Sequence, residues 1–198
     1  MPRSTHKSLR RKPKQARSLE TVDVLLEAAA RVLLARGYSA ATTNRIAETA
    51  GVSVGTLYEY FENKNQLFEA LIQREVGLIV AEVSSLPFDE GASVAEEIRA
   101  LSFAAMKAVR YGPELFWALE HVPDAALRRS RNSARGVLIE KVREVLARHE
   151  SELRVRDIRR AALLVVSAAE GIAINASNAE FDEQLAEEFI TMLHSYLT

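Results

Sequence analysis

At 198 residues, with 48% hydrophobic and 27% charged side chains, the chain is long enough for one or two globular domains and a substantial core. Cysteine is absent and the four histidines, at 6, 121, 149 and 194, are scattered, which excludes a disulfide framework, a thiolate metal site and a local histidine metal motif. The formal charge of −1 hides a division: the first 74 residues carry +5 and the remaining 124 carry −6, as expected of a protein that meets nucleic acid with one end only.

Residues 1–17 hold seven basic side chains, no acidic ones and no apolar periodicity, the composition of an arm that stays unfolded in solution. Such an arm follows DNA phosphates or enters a minor groove, with Lys14 and Arg17 best placed to do so; the alternative is a solubilising tail. Ser18 can cap a helix running to about Arg36, with Val22, Leu25, Leu26, Ala29, Val32 and Leu33 on one face and Gly37 as its stop.

The next stretch, Thr42 to Lys64, predicts a helix, a tight turn and a second short helix. Thr42 is a plausible N-cap, Ile46, Ala47 and Ala50 form an apolar stripe, and Gly51 stands where a left-handed residue ends a helix. Ser53 can cap a second helix anchored by Leu57 and Phe61, which leaves Gly55, Thr56 and Glu59 facing away and Tyr58 and Tyr60 on the flanks. Gly55 lets the backbone approach a base edge or phosphate, Thr56 offers a hydroxyl and a methyl, and the tyrosines reach phosphates. An ordinary helical hairpin with a solvated polar face is the alternative.

The order Thr42, Ile46-Ala47, Ala50-Gly51-Val52-Ser53, Gly55, Leu57-Tyr58, Phe61, Lys64 resembles the DNA-binding domain of TetR-family transcriptional regulators, over about Gln15 to Leu71. The resemblance implies that Thr42, Thr43 and Asn44 approach DNA from the first helix of the motif. It further implies that Val54, Gly55 and Thr56, in the helix capped by Ser53, meet bases or nearby phosphates, while Tyr58, Tyr60 and Lys64 hold the backbone. Thr43 is polar where many relatives are apolar, and Val54 is apolar where many carry a long polar residue.

From Lys64 a longer helix runs through Leu67, Phe68, Leu71, Val76 and Ile79 to about Ser84, and residues 87–92 form a loop. Ser93 with Glu96 is a capping box for a helix to about Arg110, and a short helix over about 114–122 follows Tyr111-Gly112-Pro113. A helix from Pro123-Asp124 to about Glu150 carries Arg128, Arg129, Arg131 and Arg135, expected as a solvated face paired with carboxylates. Asp157 opens a helix whose stretch Ala161–Ala169 is nearly all apolar and is expected to be buried on more than one side. Asp182 opens the last helix, with Leu185, Phe189, Ile190, Leu193, Tyr196 and Leu197 as a wide apolar stripe. The last two helices are expected to pair with those of a second chain in a four-helix bundle, as the resemblance also implies; packing within the chain is the alternative.

The fold class predicted is all-α: an N-terminal three-helix helix-turn-helix domain over 18–64, then a larger helical ligand-binding and dimerisation domain over 65–198. Phe103, Met106, Tyr111, Phe116, Trp117, His121, Val166 and Glu170 are candidates for the wall of a pocket for a small apolar or cationic effector. Glu170 is either that pocket's polar anchor or a charge at the dimer seam, and His121 also reads as a surface residue. Gly51-Val52-Ser53-Val54-Gly55 matches the G-x-S-x-G nucleophile elbow, but that motif needs a strand before the serine and the chain has helical period there. No enzyme signature, cofactor or metal motif remains, and no apolar run reaches the length of a bilayer span or a signal peptide, so a cytoplasmic protein is expected. The function predicted is a repressor that binds a palindromic operator as a homodimer and is released by its effector, against an architectural or multi-site DNA binder without a ligand; promoter position alone distinguishes a repressor from an activator.

Overall fold

The computed structural model describes residues 16–86, 91–109, 111–122, 124–176, 180 and 182–198, all α-helical apart from turns and one 3-10 turn. Of the predicted arm, residues 1–15 lie outside the described residues, as do the side chain of Arg17 and most of the 87–92 loop.

Nine α-helices follow one another in the described residues: α1 Ala16–Ala40, α2 Thr43–Ala50, α3 Val54–Tyr60, α4 Lys64–Ser85, α5 Val94–Ala108, α6 Pro113–Glu120, α7 Ala125–Arg148, α8 Ile158–Asn175 and α9 Glu183–Leu197. Their starts are set by side-chain caps that spare otherwise orphaned N–H groups. Thr42, Ser53, Ser93, Asp157 and Asp182 each accept from a backbone N–H three residues on, and Ser93 with Glu96 closes a reciprocal capping box. Gly37 interrupts α1 with φ 73°, ψ 167°, a conformation that only glycine adopts without strain, so the long helix ends in effect at Arg36.

The chain forms two compact units. The first contains the residues through Arg74 together with Ala118–Arg131. Its core is the predicted one: Val22, Leu25, Leu26, Ala29, Val32 and Leu33 of α1 are buried, as are Ile46, Ala47, Leu57, Phe61, Leu67, Phe68 and Leu71. Helix α2 packs on α1 and α3 packs on α2.

The second unit contains Glu75–Trp117 and Asn132–Thr198. Here α5 packs against α9, and Val94, Ile98, Leu146, Ala161, Ala162, Ile190, Leu193 and Leu197 form one core. Two expectations change. Part of the stripe on α9 is used within the chain, since Ile190, Leu193 and Leu197 are buried there. Helix α8 is buried on one side only: Ala161, Ala162 and Val166 face inward, whereas Leu163 and Leu164 are exposed, Leu164 by 53%. An apolar run marks surface that avoids water in some state, and does not by itself say that one chain provides the cover.

Candidate nucleic-acid interface

The helix-turn-helix is built by local chemistry. Thr42 is extended at φ −81°, ψ 153°, and its Oγ1 accepts from the N–H of Arg45 at 3.3 Å, which starts α2. Gly51 takes the left-handed conformation at φ 70°, ψ 25°, and Val52 donates its N–H to the Ala47 carbonyl at 3.0 Å, a closure that stops α2. Two residues later Ser53 is extended again; its Oγ accepts from the N–H of Thr56 at 3.0 Å and lies 2.9 Å from the Thr56 hydroxyl.

Leu57 and Phe61 are wholly buried beneath α3. On the other side Ser53, Val54, Gly55, Tyr58 and Glu59 are exposed and Thr56 is half-buried. Among the described residues a Cβ built on Gly55 would meet only Ser53 Oγ, at 3.5 Å. Thr42 and Asn44 are exposed at the start of α2, and Thr43 Oγ1 lies 3.1 Å from the Tyr58 hydroxyl, joining the two helices of the motif.

Two expected contacts are placed differently. Tyr60 is only 9% exposed and is covered by the rest of the unit: helical geometry leaves it and Tyr58 equivalent on the two flanks of the Leu57–Phe61 face, and packing buries the one and exposes the other. Lys64 is half-buried; its Nζ donates to the Tyr38 carbonyl at 2.9 Å and lies 3.8 Å from the centre of the Tyr38 ring. Burial pulls its pKa below the ordinary lysine value. Lys14 lies outside the described residues.

Tyr38 is also the first member of a polar relay that the sequence does not announce. Its hydroxyl donates to Asn65 Oδ1, and Asn65 Nδ2 donates to Asp124 Oδ2 at 2.6 Å. Asp124 Oδ1 in turn accepts from the N–H groups of Ala126 and Leu127, at 2.8 and 3.1 Å, and so caps α7. Burial, and then the charge of Asp124, pushes the Tyr38 hydroxyl up to about 12, which keeps it a donor. The backbone N–H of Leu127 leads the contacts that hold the Asp124 carboxyl below its usual range. A second bond, Gln73 Nε2 to Ser130 Oγ at 3.2 Å, runs alongside. The first turns of α7 therefore lie in the same unit as the recognition helix.

Residues 25–71 match the family described as bacterial regulatory proteins, tetR family, and residues 93–197, more than half of the chain, match the tetracyclin repressor-like C-terminal domain. The chain belongs to the TetR family. It is a DNA-binding transcriptional regulator of that family, with the N-terminal helix-turn-helix domain and helical C-terminal domain of the TetR fold.

Among curated relatives, the HTH-type transcriptional activator FasR of Mycolicibacterium smegmatis is 46% identical over 59 residues, 30% of this chain and 27% of that one. The nucleoid occlusion factor SlmA of Haemophilus ducreyi is 33% identical over 78 residues, 39% of this chain and 38% of that protein. These matches thus span well under half of the relatives' own lengths. In fold, the chain resembles the fatty acid degradation regulator FadR from Bacillus halodurans, with TM-score 0.78 at 23% identity, covering 92% of this chain and 96% of that one. It also resembles GusR of Salmonella enterica, with TM-score 0.76 at 21% identity, covering 93% and 99%.

In this TetR-family chain the residues named for a ligand wall are not equivalent. His121 lies in the first unit and is exposed, whereas Phe103, Met106, Tyr111, Phe116, Trp117, Val166 and Glu170 lie in the second. Trp117 is 52% exposed, Phe103 packs on the α5–α9 core with Arg99 over its ring, and Val166 is buried. Glu170 pairs with Arg135 at 2.8 Å, and Arg135 also donates to Ser167 Oγ at 2.6 Å. The arginine run of α7 is thus partly paired, as expected, with Arg131 meeting Glu120 at 3.1 Å and the Leu119 carbonyl at 2.9 Å. No helix of the described residues is long and apolar enough to cross a membrane.

Proposed function

We propose that this regulator binds a roughly palindromic operator as a homodimer and that a small apolar effector releases it. The observation that carries the reading is the outward edge of α3: Gly55 uncovered, Val54, Thr56 and Tyr58 beside it, and Leu57 and Phe61 fixing the helix from behind. Thr42, Thr43, Asn44 and Ser53 complete the surface, and the basic arm with Lys14 and Arg17 adds phosphate contacts. Lys64 reaches a phosphate only by giving up the Tyr38 carbonyl, so its role in this reading is conditional on DNA being present.

Exposed Leu163, Leu164 and Met192 support a pairing of α8 and α9 with those of a second copy. Two-fold symmetry then sets half-sites about one helical turn apart. The capping of α7 by a residue bonded to Asn65 supports a route by which the regulatory half acts on α4. An effector must bind the two states unequally, and about 1–3 kcal/mol of coupling is the usual range. Glu170 already has Arg135 as counter-ion, which favours an apolar effector over a cationic one. Two similar proteins, the fatty acid metabolism regulator of Bacillus subtilis and the fatty acid degradation regulator FadR of B. halodurans, make fatty acyl compounds the first to try.

The test is Gly55→Ala. The site is helical with no crowding, so folding is unchanged or gains roughly 1 kcal/mol, while a methyl group on the docking edge lowers duplex affinity at least about tenfold. Unchanged affinity for an operator selected from random duplexes would falsify this placement of the interface. The likeness to SlmA, named a nucleoid occlusion factor, favours one second reading, an architectural binder that needs no effector. Thermal-shift screening separates the two: a compound that raises the melting temperature and releases DNA supports the sensor, and silence across acyl, aromatic and cationic sets supports the architectural protein.

A further inference from the structure

The Thr43–Tyr58 contact carries an inference that rests on the DNA-binding reading and goes beyond it. Thr43 is half-buried in the first turn of α2, and Tyr58 is 41% exposed in the middle of α3. Their oxygens are 3.1 Å apart, and either can be the donor. Each hydroxyl has one proton, whereas a phosphate oxygen can only accept. If Tyr58 spends its proton on Thr43, it has none for DNA; if Thr43 donates to Tyr58, the phenolic proton is directed outward.

We propose that Thr43 is a positioning residue whose hydroxyl donates to Tyr58, so that Tyr58 presents its own proton to a DNA phosphate beside the N-terminus of α2. The order Thr43, Tyr58, phosphate puts the stronger donor, a phenol, against the anion and the weaker, an aliphatic alcohol, behind it. A hydroxyl that accepts one bond donates a stronger second one. It also puts the more exposed of the two groups outermost. The threonine thus serves the DNA contact through Tyr58, and fixes a phenolic rotor that would otherwise be ordered only on binding.

The test is a double-mutant cycle on the full chain, with binding to one selected duplex followed by fluorescence anisotropy at several salt concentrations. Tyr58→Phe removes the donor to phosphate and is expected to weaken binding about tenfold, within the range for a charge-assisted hydrogen bond. Thr43→Val keeps shape and β-branching and is expected to weaken it about threefold, with Thr43→Ser restoring affinity. In the Tyr58→Phe background Thr43→Val has no further effect. The slope of log affinity against log salt is the same for all variants, because a neutral hydroxyl displaces no counter-ion. Far-ultraviolet circular dichroism keeps a merely unfolded variant from being counted. The proposal is overturned if Thr43→Val costs as much as Tyr58→Phe, if the two losses simply add, or if serine fails to rescue. Failure of the unsubstituted protein to bind any duplex is a separate result and sinks the DNA-binding reading itself.

Discussion

The recognition unit and the regulatory unit solve the problem of burial differently. In the first, Val22, Leu25, Leu26, Ala29, Val32, Leu33, Ile46, Ala47, Leu57 and Phe61 face inward, while Ala50 is half-buried and Leu19, Val24 and Leu34 are exposed, as is the outer edge of α3. In the second, α5 and α9 bury a core together, yet Leu163, Leu164 and Met192 remain on the surface. The second unit also relies on charge. His149 is only 6% exposed, with Nδ1 2.8 Å from Glu152 and Nε2 on Glu97, which also meets Arg148. The small unit thus joins a closely packed centre to a short polar relay, whereas the larger one adds ion pairs at its seams and leaves leucines of α8 open.

The comparison predicts unequal responses to substitution. The largest belongs to Phe61→Ala: it empties the core beneath α3 and costs about 3–5 kcal/mol, enough to unfold the recognition unit while much of the helical signal of the rest persists in circular dichroism. Retention of operator binding by this variant would break the account of α3 as a helix anchored from below. Next comes Leu164→Asp on α8. A charge on the proposed seam leaves the fold intact and shifts the protein from dimer to monomer in light scattering, with operator binding lost through symmetry rather than through contact. A dimer that survives the substitution moves the seam elsewhere.

Asp124→Ala is smaller, about 1 kcal/mol for a lost helix cap. Its sharper signature is functional, since Asn65 loses its acceptor and any effector that acts through α7 releases DNA less completely. The smallest effect is that of pH on the His149 seam. Burial alone would depress the imidazole, but hydrogen bonds to Glu152 and Glu97 and their charges outweigh it, so the folded-state pKa is raised. A raised pKa means stability that is present below the ordinary histidine value and lost as pH rises through the higher one. Glu152 is held low, chiefly by its hydrogen bond to His149, so its share is lost only at distinctly acid pH. Melting curves of His149→Gln should therefore differ most from the parent near pH 6 and converge with it at higher pH. A constant difference would mean that the ring acts by packing alone.

Much of the helix order in both units is legible in the sequence because it is encoded at short range. Thr42, Gly51, Ser53, Ser93 with Glu96, Asp157 and Asp182 act within one turn of themselves, and each stands where its spacing predicts. A helical wheel sets Tyr60 and Tyr58 alike on the flanks of α3, and only the packing of neighbouring helices makes Tyr60 the buried one. The Tyr38–Asn65 and Asn65–Asp124 bonds join residues 27 and 59 apart, and no periodicity relates such positions. His149 was seen only as an isolated histidine, because Glu97, its partner 52 residues earlier, lies on another helix. The same holds for the candidate wall: aromatic residues near a helix break suggest a lining, but whether they converge depends on packing that their spacing does not encode.

The recognition unit is discontinuous, since Ala118–Arg131 completes it after the whole of α5 has intervened. Asp124 closes the first turn of α7 with one oxygen and holds Asn65 with the other. A nascent chain leaving the ribosome therefore exposes its helix-turn-helix well before the segment that locks it has been made. Newly synthesised protein passes through an interval in which Asn65 has been made and its acceptor on Asp124 has not.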